Sequence, residues 1–166
     1  LGPRQRDVFD LSAGASPLRG SRFSSAVIGI NLALLPDIAA MPVELRFWAD
    51  PIGVLQDDLA SHLRDGDQSV DIASLPVDAQ GLHGREYPST SVTGAKDGVY
   101  AALAPDGSPE TVITCDAYFC HQSFKPALPG KLPLVVSVTY PLDLRPDWKG
   151  IAQAAEAQVQ ALLAPR

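Results

Sequence analysis

Cys115 and Cys120, the two cysteines of the chain, stand five positions apart just ahead of the apolar stretch Leu134 to Tyr140. No other feature restricts the fold as much. On one extended strand, five steps of about 3.3 Å would hold the pair roughly 16 Å apart, far beyond disulfide reach. A bridge therefore requires the chain to reverse through Asp116, Ala117, Tyr118 and Phe119. Thr111 to Cys115 and Cys120 to Phe124 then become the arms of a hairpin. So small a ring restricts the unfolded chain by only about 2 kcal/mol, enough to pin a loop but not to hold a fold together. Two reduced, buried thiols are the competing reading. Metal binding is disfavoured, because Cys115, Cys120 and His121 offer at most three soft ligands and no second Cys or His cluster has structural zinc spacing. Thiol catalysis with His121 is disfavoured too, since neighbours in a strand point to opposite faces.

Around this hairpin the pattern is one of short strands and two helices. Residues 1–22 hold Gly2, Pro3, Gly14, Pro17 and Gly20 among four arginines, which predicts a loosely ordered segment with at most an edge strand at Val8, Phe9 and Leu11. Residues 23–166 are expected to form a single domain. Phe23 to Leu35 alternates as a strand, and Val43, Leu45 and Phe47 alternate with Glu44 and Arg46. Asp50 followed by Pro51 starts a helix, whose stripe of Ile52, Leu55, Leu59 and Leu63 should pack on a sheet before it ends near Asp65 and Gly66. Ser69 to Leu75 reads as another strand. Asp97–Gly98 and Asp106–Gly107 are hairpin signals flanking a strand over Val99 to Ala104. A second helix is predicted with Pro146 in its first turn and Trp148, Ile151, Ala152, Ala155, Val159, Leu162 and Leu163 on one face. Strands outnumber helices without a repeating alternation, so the expected class is α+β: an antiparallel sheet with two main helices packed on it.

The 166 residues suit one domain with a substantial core, and 46% apolar with 19% charged residues is a globular composition. A net charge of −6 argues against nucleic acid or an anionic membrane as partner and favours a basic protein surface. No uncharged apolar run is long enough to predict a membrane span. Phosphate-loop, dinucleotide-binding and nucleophile-elbow motifs are absent from the sequence. His62 on a helix, His83 in a loop and His121 on a hairpin arm read as surface or satisfied histidines. Asp57 and Asp58, adjacent on the first helix, splay apart as a solvated face. No enzyme activity, catalytic residue, metal or cofactor is therefore expected. Gly81 and Gly84 are expected to present Arg85 and Glu86 at a turn, and Glu86 to Asp97 reads as a hairpin tip suited to touching a partner. The candidate partner-binding residues are Arg85, Glu86, Lys96, Asp97 and Tyr118.

The order of features in the C-terminal half carries a resemblance. Ile113, Thr114 and Cys115 lead into Cys120, then into the apolar strand Val135 to Tyr140, then into Asp147, Trp148 and Ile151 at a helix start. This resembles the C-terminal domain of the cognate immunity proteins that bacteria make against their own type VI secreted lipase effectors. Gly81, Gly84 and Glu86 are similar to a turn that precedes that region in the family. The resemblance covers about half of the chain. It implies a periplasmic protein, processed from a signal peptide or lipid-anchored, that binds a phospholipase so that its active site cannot open to lipid. It fits the Cys115–Cys120 pair, for which a disulfide is the favoured reading of the spacing, and it carries over no catalytic residue. The chain starts at Leu1, so a removed leader or upstream domain is expected; the resembling proteins carry such a domain. An accessory or assembly protein of a secretion or envelope system in the periplasm would share these features and is the alternative.

Overall fold

The computed structural model describes residues 28–31, 42–48, 50–65, 68–127 and 133–164. The segment 1–22 and most of the strand expected over Phe23 to Leu35 lie outside the described residues. What is described is an α+β fold built on a seven-stranded antiparallel sheet. Five strands form a meander: β5 (His83–Pro88), β6 (Lys96–Leu103), β7 (Pro109–Cys115), β8 (Phe119–Phe124) and β9 (Leu134–Pro141). The outer side of β9 is taken by β2 (Pro42–Phe47), which in turn pairs with β1 (Ile28–Asn31). Two-residue strands β3 (Arg64–Asp65) and β4 (Gln68–Ser69) form a separate ladder.

Helix α1 (Pro51–His62) starts as its sequence predicts: the Asp50 carboxylate accepts the Gly53 N–H at 3.0 Å and Pro51 occupies the first helical position. Its stripe of Leu55, Leu59 and Leu63 is buried against Val99, Ala101, Val112 and Val135. Helix α2 (Trp148–Leu163) buries Trp148, Ile151, Ala155 and Val159 in a second cluster with Ile113, Val136, Val138 and Tyr140. Val112 and Ile113 are sequence neighbours in β7, as are Val135 and Val136 in β9, and neighbours in a strand face opposite ways. The helices therefore cover opposite faces of the sheet, and β7 and β9 are buried on both.

Several local expectations are corrected. The stretch read as a strand from Ser69 to Leu75 is instead a 3₁₀ turn at Ile72–Ser74 after β4. Asp71 imposes it, accepting the Ala73 N–H at 3.0 Å on its side chain and the Ser74 hydroxyl at 2.6 Å on its carbonyl. Asp97–Gly98 lies inside β6 rather than at a turn; the reversal runs over Ser89 to Ala95, where Gly94 takes φ +80° and Ser89 N–H bonds the Ala95 carbonyl. His83 is on strand β5, not in a loop. Pro146 precedes α2 in the 3₁₀ segment Leu142–Asp147, because Trp148 N–H bonds the Arg145 carbonyl in the tighter three-residue pattern. Helix α1 stops at His62, and Leu163 is exposed in the last turn of α2 beyond the buried stripe. Among the described residues, no helix is long and apolar enough to cross a membrane.

Candidate functional site: the stapled end of the sheet

Cys115 and Cys120 are joined by a disulfide and face each other in the β7–β8 ladder, with Cα atoms 4.1 Å apart. The arms are those that the cysteine spacing demands. The turn between them is held by more than the bridge. Asp116 N–H bonds the Phe119 carbonyl at 2.9 Å, and the Asp116 carboxylate accepts the N–H groups of Tyr118 at 2.7 Å and Phe119 at 2.8 Å. Those two amides, Phe119 first, hold the Asp116 carboxyl below the usual aspartate range. From outside, Leu142 N–H donates to the Tyr118 carbonyl at 2.9 Å. So fixed a turn leaves Tyr118 64% exposed and Phe119 48% exposed, two large aromatic side chains in water on a rigid support. Leu142, also exposed, lies beside them.

Below the turn, on the α2 side, a cavity of about 430 Å³ opens between the β5–β6 hairpin and the 3₁₀ segment. Its centre is Tyr100. Gly84 lies directly across the ladder and Gly98 two residues earlier, and neither could carry a Cβ: at Gly98 it would fall 2.5 Å from the Tyr100 ring and hydroxyl, and at Gly84 it would strike the Val99 carbonyl. The two glycines make a floor on which the ring lies flat. Arg145 stacks above it, its guanidinium carbon 4.2 Å from the ring centre. The Tyr100 hydroxyl donates to Glu86 at 3.0 Å, and Lys96 donates to the other Glu86 oxygen at 3.3 Å. Burial pushes the Tyr100 phenol up to about 12, so it keeps its proton and remains a donor at neutral pH. The Tyr100 hydrogen bond, then that of Lys96, holds Glu86 below its ordinary range.

Arg145 is anchored from behind by Asp78, at 2.9 Å, in a pair whose side chains are only 19% and 26% exposed. The other Asp78 oxygen accepts the N–H groups of Leu82 at 3.0 Å and Gln80 at 2.9 Å, closing the turn at Gly81, which takes φ +81°. Burial alone would raise the Asp78 pKa; the Leu82 amide, Arg145 and the Gln80 amide outweigh it and hold the carboxyl below the ordinary aspartate range. A group depressed on folding stabilises the protein above its unfolded pKa, and that stability is lost as pH falls through the folded value. Arg145→Ala is therefore expected to cost about 2 kcal/mol at pH 7 and to flatten the acid limb below about pH 4, read by urea unfolding across pH. An unchanged acid limb would show that Asp78 does not depend on Arg145.

On the α1 side the sheet is polar where the helix leaves it uncovered. Glu44, Asp58, His62, His121, Ser123 and Thr139 line a cavity of about 400 Å³. His121 Nδ1 meets the Thr139 hydroxyl at 2.8 Å, and the Ser123 and Ser137 hydroxyls meet at 2.9 Å. His62 Nδ1 contacts the Ser61 hydroxyl and the Asp58 carbonyl, each at 2.9 Å, and His83 Nδ1 lies 3.1 Å from the Leu75 carbonyl. Among the described residues, no three His, Cys, Asp or Glu side chains are placed to hold a metal ion.

The five candidate partner-binding residues are brought to one end of the sheet but not to one face. Glu86 and Lys96 line the Tyr100 cavity, and Asp97 also borders it although its strand position faces the other way. Arg85 pairs with Val99 and Asp97 with Tyr87, which puts both on the α1 side, and Tyr118 crowns the turn between the faces. Arg85 and Glu86 lie in β5 rather than at a turn, because Asp78 closes the reversal before Leu82. Three residues that sequence reading passed over complete the site: Tyr100, Leu142 and Arg145. Arg145 and its partner Asp78 are 67 positions apart, and nothing local to either marks the pairing. The glycines opposite and beside Tyr100 were the one available signal. No family model, curated protein or solved structure matches the chain.

Proposed function

We propose that this protein is a binding protein of the immunity type, which docks the stapled end of its sheet onto a secreted lipase of the type VI kind and holds it inactive in the periplasm. The observation that carries the reading is the exposure of Tyr118 and Phe119 on a turn locked by the disulfide, the Asp116 carboxylate and Leu142. Aromatic side chains presented rigidly lose little entropy on binding and commonly dominate interface energy. The disulfide supports an oxidising compartment. The charge of −6 supports association with a basic surface. The order of motifs from Ile113 to Ile151 supports the lipase as partner.

Blocking requires no chemistry from the inhibitor, only a surface that stays in place while the lipase is covered. The test is co-expression with a type VI lipase effector, sought first among the genes neighbouring this one and exported to the periplasm of a sensitive host. Growth is expected to be restored, and calorimetry on the purified pair is expected to give a nanomolar Kd. Continued killing together with an absence of heat on mixing would contradict the proposal.

A further inference from the structure

The α1 side of the sheet carries a polar surface that neither the core nor the Tyr118–Phe119 turn uses. Two rows of the ladder make it. Glu44, Ser137 and Ser123 stand side by side on β2, β9 and β8, and Thr139, His121 and Thr114 on β9, β8 and β7. Their strand neighbours Val43, Ile113, Phe124, Val136, Val138 and Tyr140 are buried toward α2, so the two rows face the other way. Asp58 and His62 of α1 wall the cavity of about 400 Å³ that lies over the rows, a volume suited to a small molecule. His62, Thr114 and His121 also line a neighbouring hollow of about 240 Å³, where Tyr87 and Val99 add apolar wall. The two together make a groove along the helix.

The groups that face this groove have hydrogen-bonding capacity to spare. His121 spends Nδ1 on the Thr139 hydroxyl at 2.8 Å, and His62 spends Nδ1 on the Ser61 hydroxyl and the Asp58 carbonyl, so each ring keeps its Nε2. The Thr114 hydroxyl makes no hydrogen bond among the described residues and is not closed off from water. Ser123 and Ser137 share one hydrogen bond at 2.9 Å, which leaves a hydroxyl donor and lone pairs over. Hydroxyl and imidazole groups both donate and accept. Among the described residues no lysine or arginine lines either part of the groove; Arg85, on the same face, lies against the Tyr87 ring, its guanidinium carbon 5.5 Å from the ring centre. An anion would therefore meet Glu44 and Asp58 without a cation to offset them. The complement is a neutral, compact ligand whose own groups donate and accept alike, with an apolar C–H face for Tyr87 and Val99. We infer that the groove binds a neutral mono- or disaccharide. This goes beyond the immunity reading and does not depend on it.

The test needs no lipase. Glucose, N-acetylglucosamine, maltose and diacetylchitobiose are titrated into the whole labelled protein while the amide resonances of Thr114, His121 and Thr139 are followed. Saturable shifts at these amides are expected from at least one sugar, with glucuronate about tenfold weaker than glucose or silent, and with putrescine, a cation without hydroxyls, silent. Thr114→Val, which keeps the shape and removes the hydroxyl, is expected to fold and to weaken the best sugar about five- to tenfold. Tyr118→Ala is expected to leave sugar binding unchanged, which separates this groove from the surface proposed to meet the lipase. No saturable response to any of the four sugars, putrescine binding as tightly as the best sugar, or full sugar binding by Thr114→Val would overturn the inference and leave the immunity reading standing.

Discussion

Gln122→Ala is expected to lower the unfolding free energy by about 3 kcal/mol. Gln122 is fully buried on β8, facing α2, and it joins three elements. Its amide nitrogen donates to the Trp148 carbonyl at the start of α2 at 3.1 Å, and its oxygen accepts the Tyr140 hydroxyl of β9 at 2.9 Å. Alanine removes the tie to α2, leaves the Tyr140 hydroxyl without an acceptor in a site only 1% exposed, and opens a void beneath the helix. Burial already raises the Tyr140 pKa, so the phenol cannot escape its loss by ionising. Gln122→Leu fills the volume without the bonds and is expected to cost about 2 kcal/mol, and Tyr140→Phe about 1 kcal/mol. Urea unfolding at constant m-value measures all three. A Gln122→Ala loss below about 1 kcal/mol would mean that α2 is not held to the sheet through this residue.

Tyr118→Ala is expected to weaken binding to the proposed lipase partner by about 2–3 kcal/mol, roughly 30- to 150-fold in Kd, while changing stability by less than about 0.5 kcal/mol. The two effects separate because the Tyr118 contacts that hold the turn are made by its backbone. Its N–H goes to Asp116 and its carbonyl to Leu142, and both survive truncation of the side chain. The ring itself is in water. Leu163→Ala, which removes another exposed apolar side chain at the far end of α2, is the control and is expected to leave the Kd unchanged. Calorimetry and urea unfolding of the same variants provide both readouts.

The parts of the fold that were legible in the sequence are those determined locally. The Cys115–Cys120 spacing demands a reversal, Asp50 and Pro51 start a helix, and the leucine stripe of α1 marks its buried face; each rests on residues a few positions apart. What escaped depends on distant contacts or on competing side chains. The sheet is covered on both faces, and the adjacent buried pairs Val112–Ile113 and Val135–Val136 carry that information, since a half-exposed strand would have alternated. Asp97–Gly98 looks like a turn by composition, yet Gly98 serves to make room for the Tyr100 ring. Asp71 turned an apparent strand into a 3₁₀ segment through hydrogen bonds that apolar periodicity does not register. Of the site, Glu86, Lys96 and Tyr118 could be singled out as polar or aromatic residues near a turn. Arg145 and Asp78 could not, because only the folded chain brings together residues so far apart in sequence.

The central claim is that the stapled end of the sheet is the surface that meets the lipase. Amide hydrogen exchange on the complex tests it most directly, compared peptide by peptide with the free protein. The account predicts slowed exchange at the β7–β8 turn over Asp116 to Phe119, at Leu142 to Arg145 and at the start of β6, with the exposed face of α2 around Gln153 and Ala157 unchanged. Slowing confined to α2, with the stapled turn exchanging as in the free protein, would contradict it.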